Sequence, residues 1–194
     1  MLTADDVLTA AHCIVPGTSA AAIFYGDAES ALREFASVIR VHPNYQPFGS
    51  SGGQNAALND VAIIQLQAAV PLPTVAILGS ENPSGGEEIA IFGYGTDENG
   101  SFTFEDLRSG EMLISDVNAT HVFAKFDGEG SNTCQGDSGG PAMVRRDGDA
   151  VIAGVTSSGV REDCLAGDIS LFVNVAGDEV SSFIRQAVPD VSVR

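Results

Sequence analysis

Short apolar segments separated by turn-forming residues constrain the fold of this chain more than any other feature of its sequence. Nine segments rich in Val, Ile and Phe are bounded by Gly, Asn, Asp and Pro, a pattern typical of β-strands. They span residues 21–25, 35–41, 61–66, 88–92, 111–115, 121–126, 142–145, 150–156 and 170–175. Their spacing favours an all-β sandwich or barrel over alternating strands and helices.

One helix is predicted near the C-terminus of the sequence. Val180, Phe183, Ile184 and Ala187 follow the i, i+3, i+4, i+7 spacing that places apolar side chains on one helical face. Asp178 precedes this stripe and is the predicted N-cap residue.

Composition excludes several classes of function. With 194 residues and 44% hydrophobic residues, the chain is long and apolar enough to bury a core. Its 9 basic and 26 acidic residues give a formal net charge of −17, which repels phosphate backbones and anionic lipids. We therefore expect neither a nucleic-acid partner nor membrane association, and no apolar run approaches the length of about 18 residues that a membrane helix needs.

Three short segments carry the residue types of nucleophilic catalysis. His12 follows small residues, Asp60 precedes an apolar strand, and Ser138 lies in the glycine-dense segment 134–141. Each alone has an ordinary structural interpretation, as a packed histidine, a turn aspartate and a tight loop. Together they match a chemical requirement, because a serine hydroxyl needs a neighbouring base and the base needs a third group to orient it.

The same segments resemble, in chain order, the signatures of the chymotrypsin/trypsin-like serine endopeptidases. The matching stretches are LTAAHC at 8–13, NDVAIIQL at 59–66 and GDSGGP at 136–141. The resemblance implies an all-β fold of two packed, antiparallel six-stranded β-barrels, with the first barrel truncated and a C-terminal helix. Residues 1–70 would form the truncated first half and residues 71–194 the second half, together making one peptidase domain.

The family's catalytic roles transfer to matching positions in this sequence. The resemblance implies that Ser138 attacks the scissile carbonyl, that His12 moves the proton and that Asp60 orients His12. The backbone N–H groups of Gly136 and Ser138 would form the oxyanion hole. Ser157 matches a serine that hydrogen-bonds the catalytic aspartate, although an ordinary strand serine is the alternative interpretation.

The resemblance also suggests how the substrate pocket is built. Cys134 and Cys164 match a disulfide that braces this pocket, with two buried thiols as the alternative. Asn132 falls at the pocket base, where trypsin-like enzymes place an aspartate. Gly159 matches an open wall position, and Ser170 replaces the second wall glycine. We therefore expect an uncharged pocket that favours cleavage after uncharged residues.

The beginning of the sequence departs from the family pattern. Only eleven residues precede His12, which implies that the signal peptide, the activation segment and the first strands of a longer precursor are absent. The same loss would leave Cys13 without its usual cysteine and Asp137 without the N-terminal amine that normally pairs with it. On this interpretation the protein is secreted as a zymogen.

The sequence therefore predicts a secreted serine endopeptidase that acts on protein or peptide substrates through an acyl-enzyme intermediate. Protein protease inhibitors are possible partners, and we expect no cofactor and no metal. The alternative is a catalytically impaired member of the same fold that works as a binding or regulatory module. An ester hydrolase, which would use the same three residues, ranks last, because the Gly-Asp-Ser-Gly-Gly setting of Ser138 is not the strand-to-helix Gly-x-Ser-x-Gly elbow.

Overall fold

A computed structural model describes residues 1–15, 17–18, 20–25, 32–48, 56–97, 100–101 and 106–194 of the chain. Ten strands and one α-helix lie within these ranges. In chain order they are β1 (Asp6–Thr9), β2 (Ala22–Tyr25), β3 (Leu32–Val41), β4 (Ala62–Leu66), β5 (Glu88–Gly93), β6 (Arg108–Val117), β7 (His121–Lys125), β8 (Pro141–Arg146), β9 (Asp149–Gly159), β10 (Ile169–Asn174) and α1 (Asp178–Ala187).

The strands form two antiparallel sheets. Strands β5 to β10 close into a six-stranded barrel in the order β10-β7-β6-β5-β8-β9, and the first four strands form an open sheet in the order β1-β4-β3-β2. The sequence-based prediction of two barrels, the first truncated and the second followed by a helix, is confirmed.

The larger of two hydrophobic clusters joins the open sheet to the barrel. Its members from the first sheet and its flanks include Leu2, Val61 and Ile63, and these pack into the same buried cluster as Ile89 and Phe172 of the barrel. Close packing makes such an interior resist deformation. The two sheets are therefore held together by the same side chains that stabilise the fold.

The structure corrects the prediction at two places. Strand β1 was not predicted, because four residues beginning with an aspartate carry too weak an alternation to signal a strand. It forms because it pairs with β4 over four residues. The N-cap of α1 is Gly177 rather than Asp178, which is the first helical residue and adds negative charge to the first turn.

Candidate active site

Asp60 is one of the most deeply buried polar residues in the described part of the chain. It precedes β4 and follows Asn59, whose φ of 53° turns the chain just before the strand. The Asp60 side chain has no exposed surface. A buried carboxylate is unstable in its charged form unless it has hydrogen-bond partners. The hydrogen bonds of Asp60 therefore decide whether this buried side chain can be ionised.

Three hydrogen bonds supply those partners. The backbone N–H of His12 donates to Asp60 Oδ1 at 2.8 Å, and His12 Nδ1 donates to Oδ2 at 2.7 Å. The Ser157 hydroxyl donates to the same Oδ2 at 2.6 Å. Burial alone would raise the pKa of Asp60, but the bonds from His12 and Ser157 outweigh it and hold this pKa below its usual value.

His12 lies in a short 3₁₀ turn, Ala11–Cys13, directly after β1. Its neighbours Ala10 and Ala11 are buried, so the turn is packed on the core while the imidazole reaches the surface. The hydrogen bond to Asp60, followed by one to the side chain of Cys13, raises the pKa of His12 to about 10. Because Nδ1 faces Asp60, Nε2 is the ring nitrogen left for a substrate or a nucleophile.

Ser138 lies in a turn that glycine conformations make possible. Gly136 and Gly139 have φ values of 96° and 82°, in the left-handed region that favours glycine. Between them, the Asp137 carboxylate accepts hydrogen bonds from the backbone N–H groups of Gly95 and Cys134, each at 2.8 Å. The turn is thereby anchored on two sides, and the Ser138 side chain is left exposed.

The same turn contacts the strand that leads to His12. A Cβ atom on Gly139 would collide with the Thr9 hydroxyl and would lie 3.2 Å from the backbone nitrogen of Ala10. The Ser138 segment therefore packs against the chain two residues before His12. In the described part of the chain, however, no hydrogen bond joins Ser138 Oγ to His12.

Two backbone donors near the Ser138 hydroxyl lack an acceptor in the part of the chain that the structure describes. Among the described residues, neither the N–H of Gly136 nor that of Ser138 donates to another protein group, whereas the N–H of Asp137 between them bonds the carbonyl of Cys134 at 3.1 Å. Paired, unoccupied N–H groups next to a hydroxyl are suited to an anionic oxygen.

A cavity of about 210 Å³ opens next to Ser138. Ser157, Gly159 and Asp168 are among its lining residues. Two residues expected at this pocket are not among its lining residues. Asn132 lines a neighbouring cavity of about 840 Å³, and Ser170 is wholly buried and lines neither.

Beneath the smaller cavity lies a network of polar side chains. Ser170 Oγ donates to Asn132 Oδ1 at 2.8 Å and also bonds the Thr133 hydroxyl at 2.7 Å. The Asn132 amide donates to the Cys164 carbonyl at 3.0 Å and to Asp168 Oδ2 at 2.9 Å. Asn132 and Ser170, the two side chains expected at the pocket, are thus hydrogen-bonded to each other.

Sequence reasoning missed Asp168, although a signal was present. Like Asp60, which lies two residues before β4, it is an acidic residue just before an apolar strand, here β10, and both carboxylates are wholly buried. That position is also usual for a solvated turn residue, so the pattern alone does not separate a buried aspartate from an exposed one.

A disulfide joins Cys134 to Cys164 and ties the Ser138 turn to the loop before β10. Cys13 is a free, exposed thiol. Within the described ranges, no cluster of three or more His, Cys, Asp or Glu side chains is arranged to hold a metal ion. None of the helical segments described here has the length and hydrophobicity to cross a membrane.

Comparison with known proteins places these features in context. A family model described as Trypsin matches residues 1–184. Similar proteins include trypsin beta of Drosophila erecta (27% identical over 79% of this chain and 64% of the relative), brachyurin of Leptuca pugilator (28%, 90% and 80%) and trypsin of Simulium vittatum (30%, 79% and 66%). This chain thus spans just under two thirds of the length of the trypsin from Drosophila erecta.

Proposed function

Because this chain belongs to the trypsin family, we propose that it is a serine endopeptidase whose nucleophile is Ser138. The observation that carries the proposal is the buried Asp60 carboxylate, which binds both the backbone and the ring of His12. This arrangement leaves Nε2 of His12 available, and the turn that carries Ser138 packs against Thr9 and Ala10 just before His12. A wholly buried carboxylate that orients a histidine at the surface is typical of a catalytic site.

Acylation begins when Ser138 Oγ attacks the carbonyl carbon of the scissile peptide. His12 Nε2 takes the hydroxyl proton and then donates it to the leaving amine as the carbon–nitrogen bond breaks. Water, activated by the same imidazole, then hydrolyses the resulting ester and releases Ser138. Protons balance over the cycle, since the one taken from water returns to the serine.

Asp60 contributes electrostatically and does not itself take up the proton. Its hydrogen bonds keep it ionised although it is buried, so it stabilises the imidazolium that forms during attack. The free N–H groups of Gly136 and Ser138 would bind the oxyanion. Removing one such donor costs about 3–4 kcal/mol of transition-state stabilisation.

A specific observation favours a second candidate function, a binding or regulatory module of the same fold. The hydrogen bond to Asp60 raises the pKa of His12 and so favours the protonated ring, which does not act as a base. The absence of a Ser138–His12 hydrogen bond among the described residues agrees with that state. A resting enzyme and a non-catalytic module would share both features.

Covalent labelling separates the two candidates. We expect a serine-directed fluorophosphonate to label the purified chain once, at Ser138, and peptide hydrolysis to disappear in parallel. Ser138→Ala should abolish labelling, and His12→Ala should slow it strongly, while Ser80→Ala, an exposed serine distant in sequence, should leave it unchanged. A correctly folded chain that binds peptides but is never labelled would establish the binding module and overturn the peptidase.

Location in an oxidising compartment is part of the same proposal. The Cys134–Cys164 disulfide supports it, because such bonds persist in secreted proteins and are rare in the cytosol. Protein or peptide substrates, and protein inhibitors that occupy the same crevice, are the expected partners. Thiol labelling of the protein from its native source checks the location, since only Cys13 should react before reduction.

A further inference from the structure

We propose that one face of strand β3 is a docking surface for an extended acidic segment of another protein, with an aromatic side chain between two groups of carboxylates. The β3 surface consists of four residues of β3 and one of β2, namely Arg33, Phe35, Val38, Arg40 and Phe24. The inference goes beyond the proposed function, because the β3 surface contains none of the residues proposed for catalysis.

A β-bulge places these side chains on one face of the sheet. Val38 pairs with Gln65 of β4, whereas Ala36 pairs with the residue after Gln65, so Ser37 is an extra residue between the two pairs. The Ser37 hydroxyl donates to the Gln65 carbonyl at 3.1 Å. Side chains alternate along a strand, and one extra residue reverses the alternation. Phe35 and Val38 therefore face the same side although they are three positions apart.

Side-chain contacts agree with this common face. The Arg33 guanidinium carbon lies 4.6 Å from the centre of the Phe35 ring, and Phe24 is directly opposite Arg33 on the neighbouring strand. Arg40 Nη2 donates to Gln65 Oε1 at 3.2 Å. The β3 surface thus has a guanidinium at each end, about 20 Å apart along the strand, and apolar side chains between them.

The apolar part of the β3 surface is exposed. Phe24 is 70% exposed, and Phe35 and Val38 are also exposed. The second hydrophobic cluster lies on the opposite face of the sheet, where it includes Ile64 and Leu66. Exposed apolar side chains grouped beside polar ones mark interaction sites, and aromatic and arginine side chains are enriched at protein interfaces.

The two guanidinium groups keep their charge available. In the described part of the chain neither Arg33 nor Arg40 pairs with a carboxylate, whereas Arg146 pairs with Glu87. Arg40 Nη1 is buried and has no hydrogen-bond acceptor among the described residues. A buried donor without an acceptor is unfavourable, and a carboxylate matches the two-pronged geometry of a guanidinium. An acidic ligand would therefore supply what Arg40 lacks.

The nearest acidic side chains do not neutralise the β3 surface. Asp6 of β1 lies on the same face, because it pairs with Gln65 across the sheet. It is two strand spacings, about 10 Å, from β3, it is buried, and its Oδ2 accepts a hydrogen bond from the Thr3 hydroxyl at 2.7 Å. Glu34 pairs with Ile23 and faces the opposite side of the sheet.

The net charge of −17 restricts the kind of partner that fits. At physiological ionic strength, charges further away than about 8 Å are largely screened, so a short acidic segment interacts mainly with Arg33 and Arg40. A long polyanion, or a second copy of this chain, would extend over the acidic remainder of the surface and be repelled. An extended peptide with carboxylates about seven residues apart reaches both guanidinium groups, and an aromatic residue between them packs on Phe35.

A matched pair of peptides provides the test. The first carries two glutamates at each end, about seven residues apart, and a central phenylalanine, and the second has glutamine in place of every glutamate. We expect the wild-type chain to bind the glutamate peptide about tenfold more tightly, and added salt to reduce this difference. Fluorescence anisotropy measures the affinity, and the backbone amide shifts in NMR should change on β2 and β3.

Three variants locate the binding site. Arg40→Gln should weaken binding of the glutamate peptide about tenfold, because it removes the charged donor. Phe24→Ser should weaken binding about fivefold, and it protects the test against misfolding since this side chain is largely exposed. Arg145→Gln, which removes an exposed arginine from β8 and changes the net charge equally, should leave the affinity unchanged.

Several outcomes would overturn the proposal. They are equal affinity for the two peptides, equal weakening by Arg145→Gln and Arg40→Gln, and tighter binding of a sulfated polysaccharide than of the glutamate peptide. Self-association in sedimentation that Phe24→Ser abolishes would instead assign the β3 surface to a second copy of this chain. None of these measurements depends on hydrolysis, so they test the β3 surface whether or not the chain is a peptidase.

Discussion

His12 is held by Asp60 through two of its own nitrogens, the backbone N at 2.8 Å and the ring Nδ1 at 2.7 Å. The backbone bond fixes where the residue lies, and the ring bond fixes which way the imidazole faces and which nitrogen carries the proton. The two residues are 48 positions apart, so this double attachment depends on the pairing of β1 with β4.

Asp60→Asn should leave the fold intact and reduce kcat by about 10⁴-fold. The new amide would present N–H groups to Nδ1 and so favour the tautomer with its proton on Nε2, which cannot accept the serine proton. Steady-state kinetics measures the loss, and nitrogen-15 NMR of His12 measures the tautomer. Asp116→Asn, at an exposed carboxylate, is the matched control, and a loss below tenfold in Asp60→Asn would contradict the proposed role.

Ser157→Ala should lower the free energy of unfolding by about 2 kcal/mol, because it removes a hydrogen bond to a buried charge. It should also raise the pKa of Asp60, since the Ser157 hydroxyl is one of the groups that lower it. Denaturant titration measures the stability, and carbon-13 NMR of the Asp60 carboxyl group measures its pKa. Ser158→Ala provides the control, as its buried hydroxyl has no partner among the described residues.

The raised pKa of His12 links stability to pH in the alkaline range. The folded chain holds the proton more tightly than the unfolded chain, so the stabilisation is fully present below pH 6.5. It is lost as pH rises from 6.5 to about 10. In His12→Gln this decline should flatten, as measured by urea unfolding at several pH values. An unchanged slope would show that the proton on His12 is not stabilised by folding.

The pKa of His121 shifts in the opposite direction to that of His12. Burial lowers its pKa, while its Nε2 contacts the carbonyl of Ala57 at 3.0 Å, three residues before Asp60. The folded state thus favours the neutral ring of His121. The stability that this neutral ring contributes is present above pH 6.5 and declines as the pH falls below 6.5. His121→Gln should reduce the loss of stability in mild acid, and should leave the alkaline decline attributed to His12 in place.

Removing the disulfide should destabilise the chain and loosen the cavity beside Ser138. Cys134 and Cys164 are 30 residues apart, and closing a loop of that length stabilises a fold by about 3–4 kcal/mol. The double replacement by serine should therefore lower the free energy of unfolding by this amount and raise KM. Cys13→Ser, at an exposed thiol, should change stability by less than about 0.5 kcal/mol.

Much of the fold could be predicted from local patterns. All nine predicted strands overlap observed ones, and the stripe from Val180 to Ala187 lies within α1. The predicted strands differ from the observed ones where hydrogen bonding to a neighbouring strand, rather than the local hydrophobic pattern, decides which residues form a strand. Strand β6 extends to Arg108 because it pairs with β5, and β1 exists because β4 binds it. Hydrogen-bonded ladders thus extend strands into residues that carry no clear alternation.

The sequence by itself determined the all-β pattern, the final helix and the order of the His12, Asp60 and Ser138 segments, because each depends on residues close together in the chain. Only the tertiary structure decided that Asp168 faces the cavity while the amide of Asn132 bonds inward. Those orientations arise where the segments around residues 132 and 164–170 meet, joined by a disulfide and shared hydrogen bonds. Contacts between distant segments depend on the whole packing, so no local pattern encodes them.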